Sequence, residues 1–417
     1  MWVFDARKLY LFLVVVFVFF LLFDFKVVNI VLPITFVSAF ISYKEGITDF
    51  KNYISNNKVL LSILFSLVIY EIIIAILAKD LDDKRIGFYG LWIASFLVLF
   101  RLKNISCFFN VILGVVFILM LGGSYNIYQY YLSTDDYEMG VGSHINPMLI
   151  VARPYLGYIL NIGIILSLYM YSSITEKIRY GYLILAICFF SYLVLIANRI
   201  QLVSLSVIFI LYFSIYTKMR LSYRIGAFGL LCVLVISMIR INPTLASRFE
   251  IKTIKEQNDN FIDRLSFKEP RIVIWKCSAE IAEDSNFNPL IGVGNKKIID
   301  SKLSDCYDKT TVNNPMRQYF LDEQFGTHNL FVEFYLLSGL IGILLLLSLF
   351  VYISFKVRKN FFAFSIAIAL FNFCLVENLL DGQLGAYLLG FTLFVILKVY
   401  KFNFNKDEES DSYRLVR

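Results

Sequence analysis

The chain has 417 residues, of which 59% are hydrophobic, and its formal net charge at pH 7 is +7. A soluble globular domain is about 45–50% apolar, so this composition indicates a membrane protein and argues against a soluble one. The positive charge does not indicate a nucleic-acid partner, because the basic residues form short clusters between apolar runs and no continuous basic face.

Apolar runs of membrane-spanning length divide most of the chain. With about 20 apolar residues per crossing as a guide, we predict an all-α polytopic membrane protein with about twelve transmembrane helices. The predicted spans cover residues 9–23, 27–43, 59–78, 86–100, 105–127, 148–171, 182–197, 202–217, 225–239, 329–355, 361–376 and 384–400. The seventh and eighth spans are separated at Arg199, because a charged side chain in the middle of a membrane is costly.

The distribution of Lys and Arg predicts the orientation of these spans. With the N-terminus in the cytoplasm, the short inner loops carry roughly three times as many basic residues as the outer loops. The expected division of the chain is transmembrane helices 1–9 in residues 1–240, a large and partly helical periplasmic loop in 241–328, transmembrane helices 10–12 in 329–400, and a cytoplasmic tail in 401–417.

The outer loop contains a predicted surface helix with an arginine at its start. Pro270 followed by good helix formers predicts a helix over about 270–284. Arg271 falls in the first turn, where a positive charge opposes the helix macrodipole unless an anion compensates it. Arg271 therefore either points at a negatively charged ligand, or pairs with Glu269, or extends into solvent.

Two cysteines, Cys277 and Cys306, lie in the same outer loop. An oxidising compartment would let them form a disulfide, which for a loop of this length stabilises the fold by roughly 3–4 kcal/mol. The alternative is that both are free thiols, since the sequence does not give their geometry.

His328 stands where the outer loop re-enters the membrane. We predict that Thr327 caps the tenth span and that His328 lies in its first turn. The positive helix end and nearby arginines would disfavour a protonated imidazole, and a neutral His328 could act as a general base. The alternative is an interfacial histidine hydrogen-bonded to its own loop.

The sequence has no metal-ligand spacing and no Walker A motif, so we predict no metal and no cofactor.

Four features, in this order, resemble the O-antigen ligase and polymerase superfamily. They are an arginine between two spans (Arg199), a helix of the form Arg-x3-Trp (Arg271 and Trp275), a Pro-Leu-x-Gly-x-Gly turn (Pro289 to Gly294), and Thr-His-Asn at the start of a span (Thr327 to Asn329). These features cover roughly residues 190–345, and the predicted topology agrees with the superfamily over the whole chain.

The resemblance implies a metal-independent glycosyltransferase that takes a glycan from an undecaprenyl-diphosphate-linked donor, so that the lipid diphosphate is the leaving group. Arg199 and Arg271 would hold the diphosphate, and His328 would deprotonate the acceptor hydroxyl. Further candidates to support this site, all in the outer loop or near the outer membrane edge, are Arg153, Trp275, Asn329 and Glu333. The implied location is the bacterial inner membrane with a periplasmic active site. The implied partners are membrane lipids, a glycan or lipid A–core acceptor, and other polysaccharide-assembly proteins.

The acceptor is the open question within this resemblance. Ligases of the superfamily often carry a second histidine two residues before the motif histidine, where this chain has Gly326. We therefore expect a polymerase of polysaccharide repeat units, with an O-antigen ligase as the alternative.

A lipid-linked oligosaccharide flippase is a second alternative, but it would be expected to show repeat symmetry or charges deep inside spans. The sequence shows no symmetry between its halves, and we expect its charges to lie at span ends.

Overall fold

The computed structural model of the protein describes residues 6–23, 25–41, 43–79, 83–134, 148–217, 220–241, 269–310 and 314–414. Within these ranges the chain is helical and has no β-strand, which confirms the predicted all-α class. The helices are α1 (Ala6–Phe23), α2 (Phe25–Ser38), α3 (Tyr43–Asn56), α4 (Lys58–Leu77), α5 (Asp83–Leu97), α6 (Ile105–Thr134), α7 (Arg153–Ser173), α8 (Arg179–Leu195), α9 (Arg199–Leu211), α10 (Leu221–Ile241), α11 (Arg271–Ala282), α12 (Lys296–Thr310), α13 (Asn314–Glu323), α14 (Leu330–Val357), α15 (Phe361–Cys374) and α16 (Gln383–Arg414). A π-helical turn, Tyr212–Tyr216, continues α9.

Among the described residues, six helical stretches are long and apolar enough to cross a membrane. They are Lys58–Leu77, Ile105–Ser133, Arg153–Ser173, Arg199–Tyr216, Leu330–Val357 and Gln383–Lys401. Each of the twelve predicted spans overlaps a helix, but several of these helices are shorter than the roughly 20 residues that a crossing needs. The structure therefore supports a membrane protein, whereas the number of twelve crossings stays a prediction.

The helices α11 and α12 form a covalently linked pair that packs on the start of α14. A disulfide joins Cys277 of α11 to Cys306 of α12, with their Cα atoms 5.7 Å apart. Apolar side chains of both helices pack in one buried cluster with residues of α14, among them Val273, Ile281, Ile299, Leu303, Leu336 and Leu337. The helix predicted over 270–284 is α11. Residues 242–268 and 311–313 of the predicted periplasmic loop lie outside the described residues.

Helix α14 is interrupted at Gly339, and the backbone of the Pro289–Gly294 segment forms hydrogen bonds with the residues on both sides of the interruption. Gly339 has a φ of 64°, which interrupts the helical hydrogen bonds inside an apolar helix. The segment restores them through four backbone bonds, which are Val293 N to Leu336 O (2.8 Å), Gly294 N to Leu337 O (2.8 Å), Leu340 N to Pro289 O (2.8 Å) and Ile341 N to Leu290 O (3.3 Å). A Cβ atom at Gly339 would lie 2.3 Å from the carbonyl carbon of Leu290, so only glycine allows this approach. The predicted turn is thus part of the contact that fixes the N-terminal part of α14.

A charged pair lies inside the helical bundle, which the sequence analysis did not expect. Glu71 of α4 is buried, pairs with Arg85 of α5, and accepts a hydrogen bond from the hydroxyl of Tyr89 at 3.0 Å. The expectation that charges lie at span ends was therefore wrong for Glu71. The pairing removes much of the cost of burial, because each charge has an opposite charge and hydrogen bonds beside it.

Candidate active site

Each of the three predicted site residues lies at the beginning of a helix. Arg199 is the first residue of α9, whose N-cap is Asn198 with its side chain accepting from the backbone of Gln201. Arg271 is the first residue of α11. His328 directly precedes Asn329, the N-cap of α14. The N-termini of α9, α11 and α14 therefore lie in the same region of the molecule.

Two carboxylates join these three residues into one cluster. Glu269 bridges the arginines, since its Oε2 lies 3.0 Å from Nη2 of Arg199 and its Oε1 lies 3.0 Å from Nη1 of Arg271. Glu377 bridges Arg271 and His328, with Oε1 at 2.6 Å from Nη2 of Arg271 and Oε2 at 3.1 Å from Nδ1 of His328. The order of contacts is therefore Arg199, Glu269, Arg271, Glu377, His328.

The side chain of Glu377 and the backbone of Val376 together hold Arg271. The Nε of Arg271 donates to the carbonyl of Val376 at 3.0 Å, so neighbouring groups of the connection between α15 and α16 fix the guanidinium plane. Burial by itself would raise the pKa of Glu377, but the hydrogen bond to His328 and the charges of His328 and Arg271 lower it overall. Glu377 is therefore ionised at neutral pH, although only 8% of its side chain is exposed.

The position of His328 differs from the prediction. Thr327 is not the cap of α14. Asn329 is, because its side chain accepts from the backbone N–H groups of Phe331 and Val332. His328 therefore lies outside the helix, with a φ of 45° that non-glycine residues seldom adopt. The argument that the helix dipole keeps this histidine neutral loses its basis, and the carboxylate of Glu377 becomes the main influence on the ring.

The ring of His328 is oriented on one side and open on the other. An ionised Glu377 accepts a hydrogen bond from Nδ1, and in the neutral ring this tautomer leaves the lone pair on Nε2. The ring of Phe325 lies with its centroid 5.4 Å from that of the imidazole. With 30% of its side chain exposed, His328 can receive a proton at Nε2 from a hydroxyl group that enters from solvent.

The four further candidates differ in their relation to this cluster. Asn329 fixes the start of α14, and the carbonyl of Arg153 accepts from the Asn198 side chain at 2.7 Å, which holds the turn before Arg199. Glu333 accepts from the Thr327 hydroxyl at 2.9 Å. Trp275 is 38% exposed on α11, and within the described residues no hydrogen bond or ring contact joins it to the cluster.

Sequence reasoning missed the bridging roles of Glu269 and Glu377. Glu269 was considered only as a possible partner of Arg271, and Glu377 was not assigned a role. Glu377 follows α15, far along the chain from the motif residues. The available signal was an acidic residue at the predicted outer end of a span.

Part of the chain is similar to a known family. A family model described as O-antigen ligase matches residues 183–347, which is less than half of the chain. The matched range includes Arg199, Glu269, Arg271 and His328, and it ends before Glu377. No curated protein matches the chain. Residues 183–347 are thus similar to the O-antigen ligase family, which is consistent with the O-antigen ligase/polymerase superfamily.

Proposed function

We propose that this protein transfers a glycan from an undecaprenyl-diphosphate-linked donor to an acceptor hydroxyl at the outer face of the bacterial inner membrane. The matched family supports a membrane glycosyltransferase of the O-antigen ligase/polymerase type. The observation that carries the finer proposal is the continuous contact between two guanidinium groups and an oriented imidazole, through Glu269 and Glu377. Such a site offers cations for a diphosphate and a base for a hydroxyl within one cluster.

In the proposed reaction His328 is the general base. The acceptor hydroxyl attacks the anomeric carbon of the donor sugar, and its proton passes to Nε2 of His328 as the new glycosidic bond forms. The bond between the anomeric carbon and the diphosphate oxygen breaks, and the electron pair leaves with the lipid diphosphate. Glu377 stabilises the imidazolium that results, since its carboxylate faces Nδ1 at 3.1 Å.

In the proposed binding mode Arg199 and Arg271 hold the diphosphate. The carboxylate of Glu269 lies 3.0 Å from each guanidinium and indicates where a phosphate group could contact both. Guanidinium groups match phosphate oxygens with two parallel hydrogen bonds, and they stabilise the charge that grows on the leaving diphosphate. Glu269 would have to yield this position, and its 30% exposed side chain can do so by rotating toward solvent.

No metal and no nucleotide are required by this proposal. The two arginines supply the positive charge that a divalent cation supplies in many phosphate-transfer sites. The glycosyl diphosphate bond already carries the free energy for the transfer, so the reaction does not need ATP.

We propose a repeat-unit polymerase as the activity. A Cβ atom at Gly326 would lie 2.9 Å from Oδ2 of Asp381, so a histidine there would require Asp381 to move. The proposal rests on Gly326 itself, which stands where ligases often carry a second histidine. The alternative of an O-antigen ligase that transfers to lipid A–core is favoured by the description of the matched family.

The flippase alternative has one observation in its favour, which is the buried pair of Glu71 and Arg85. Charged residues inside spans are frequent in transport pathways. In this pair, however, Glu71 also accepts a hydrogen bond from the Tyr89 hydroxyl. The pair lies next to the break in α14, where the backbone carbonyl of Ser338 accepts from the Tyr70 hydroxyl at 3.0 Å. We therefore assign it to the support of α14.

A reconstituted assay tests the proposed function directly. Purified protein in liposomes is supplied with an undecaprenyl-diphosphate-linked repeat unit, alone or together with lipid A–core, in the presence of EDTA. A glycosyltransferase releases undecaprenyl diphosphate and forms a larger glycan, whereas a flippase moves the donor across the bilayer without changing it. Transport without any new glycosidic bond would refute the proposal.

A further inference from the structure

A second charged cluster lies on the other side of the segment that carries His328. Lys296, the first residue of α12, places its Nζ 3.2 Å from Oε1 of Glu333 in α14. The other oxygen of Glu333 accepts from the hydroxyl of Thr327 at 2.9 Å. The side chains of Lys296 and Glu333 are only 14% and 5% exposed, and Thr327 is fully buried. A buried chain of three polar groups thus ends on the residue before His328.

This chain acts on a backbone that is otherwise unfavourable. His328 has a φ of 45°, a conformation that persists only where the surroundings impose it. Thr327 immediately precedes it, and Asn329 immediately follows it as the cap of α14. The hydroxyl of Thr327 is fixed to Glu333, so rotation of the backbone at His328 would break a buried hydrogen bond and leave the carboxylate short of a partner.

Lys296 keeps this arrangement electrically balanced. Besides Glu333, its Nζ lies 2.5 Å from Asp300 and 3.9 Å from Asp381. Burial alone would lower the pKa of Lys296, but these carboxylates raise it overall, so the ammonium group stays charged. Removing that charge would leave Glu333 buried without its cation and would weaken the geometry that it imposes on Thr327.

We propose that Lys296 is a positioning residue for His328, and that it acts through Glu333 and Thr327. This inference rests on the proposed role of His328 as general base. Glu377 orients the ring from one side, whereas Lys296 fixes the backbone from the other. The disulfide-linked pair of α11 and α12 would then deliver both Arg271, for the donor, and Lys296, for the geometry of the base.

Substitution of Lys296 tests this role, with Lys302 as the matched control. Lys302 lies on the same helix and forms a 2.5 Å ion pair with Asp284, away from His328. In the reconstituted assay Lys296→Met should lower kcat by about 10²-fold and leave the KM for the donor unchanged, since a small displacement of a base costs that much. Lys296→Arg should recover most of the loss. Lys302→Met should leave kcat unchanged and lower the melting temperature less than Lys296→Met, because the pair of Lys302 and Asp284 is partly exposed.

Thr327 provides the second arm in case Lys296→Met reduces the yield of folded protein. Thr327→Val removes the hydroxyl at nearly constant shape and should lower kcat, whereas Thr327→Ser should retain it. Because both residues act through Glu333, the loss in the double variant Lys296→Met/Thr327→Val should not exceed the larger single loss. Equal kcat for Lys296→Met and Lys302→Met, or multiplying losses in the double variant, would overturn the inference. If wild-type protein transfers no glycan, the proposed function fails instead.

Discussion

Glu377 contacts His328 and Arg271 at the same time, one with each carboxylate oxygen, at 3.1 Å and 2.6 Å. This relationship makes one buried acid the common support of the proposed base and of one proposed diphosphate ligand. If Arg271 bound a diphosphate, its contact with Glu377 would change, and the hydrogen bond between Glu377 and Nδ1 of His328 would change with it. We therefore predict that donor binding affects the proposed base through this one side chain.

The role of His328 can be tested by removing the imidazole. His328→Ala should lower the rate of glycan transfer by about 10²–10⁴-fold, because a positioned general base contributes that much. The KM for the donor should change little, since the arginines remain. The rates are measured with purified protein and a lipid-linked donor, at matched protein levels. Full activity of His328→Ala would remove the central assignment.

The role of Glu377 can be tested by an isosteric change. Glu377→Gln keeps the shape but can donate to Nδ1 of His328, which would place the ring proton on Nε2, where the base must be free. We expect a loss in kcat of about 10²-fold or more, and a smaller loss for Glu377→Asp.

Glu377 should also make the stability of the fold depend on pH, because its pKa is lower in the folded protein than in the unfolded chain. The ionised carboxylate stabilises the fold fully at a pH above the pKa of an ordinary glutamate, and this stabilisation is lost as the pH falls through the lowered pKa. Glu377→Gln should therefore reduce the acid sensitivity of the melting temperature.

The arginines can be separated from the base by charge-conserving substitutions. Arg199→Lys and Arg271→Lys keep a positive charge but lose the planar pair of donors that matches a phosphate. Both variants should raise the KM for the donor and recover only part of the activity that the alanine variants lose. Arg271→Lys should have the larger effect on kcat, because Arg271 also contacts Glu377. Equal kinetics for Lys and Arg at both positions would argue against bidentate diphosphate binding.

The sequence allowed the class of the fold and the three central residues to be predicted. The apolar runs located a helix at each of the twelve expected spans, and the Pro270 signal located α11 to within a few residues. It did not locate α3, since this amphipathic helix contains no apolar run of membrane length. Arg199 was singled out by the family resemblance, Arg271 by its place in the first turn of a predicted helix, and His328 by its place where the outer loop re-enters the membrane. The structure brings all three together.

What could not be predicted depends on contacts between distant parts of the chain. Glu377 meets His328 only because α14 and α15 fold back on each other, and Lys296 meets Glu333 only because the disulfide-linked helices pack on α14. The cap of α14 was misassigned because Thr327 and Asn329 are both good caps in sequence terms. The choice between them depends on the burial of Thr327 against Glu333.

The predicted orientation can be tested by thiol labelling at two exposed lysines. Lys309 of α12 belongs to the predicted periplasmic loop, and Lys359 lies between α14 and α15 in a predicted inner loop. In a background without Cys107 and Cys188, Lys309→Cys should react with a membrane-impermeant thiol reagent once the outer membrane is permeabilised. Lys359→Cys should react only after lysis of the inner membrane. The reverse pattern would invert the topology and place the cluster in the cytoplasm.

The acceptor separates a polymerase from a ligase, whereas the residues of the cluster do not. Both reactions use the same donor and could use the same histidine and arginines, so only the fate of the glycan distinguishes them. Deletion of the gene followed by analysis of surface glycan and lipid carrier provides the measurement. Loss of a polymerase should leave lipid A–core that bears a single repeat unit, because ligation continues without elongation. Loss of a ligase should leave bare lipid A–core and long chains on the carrier. We expect the first result, and the second would assign the ligase activity while leaving the roles of His328, Arg199 and Arg271 unchanged.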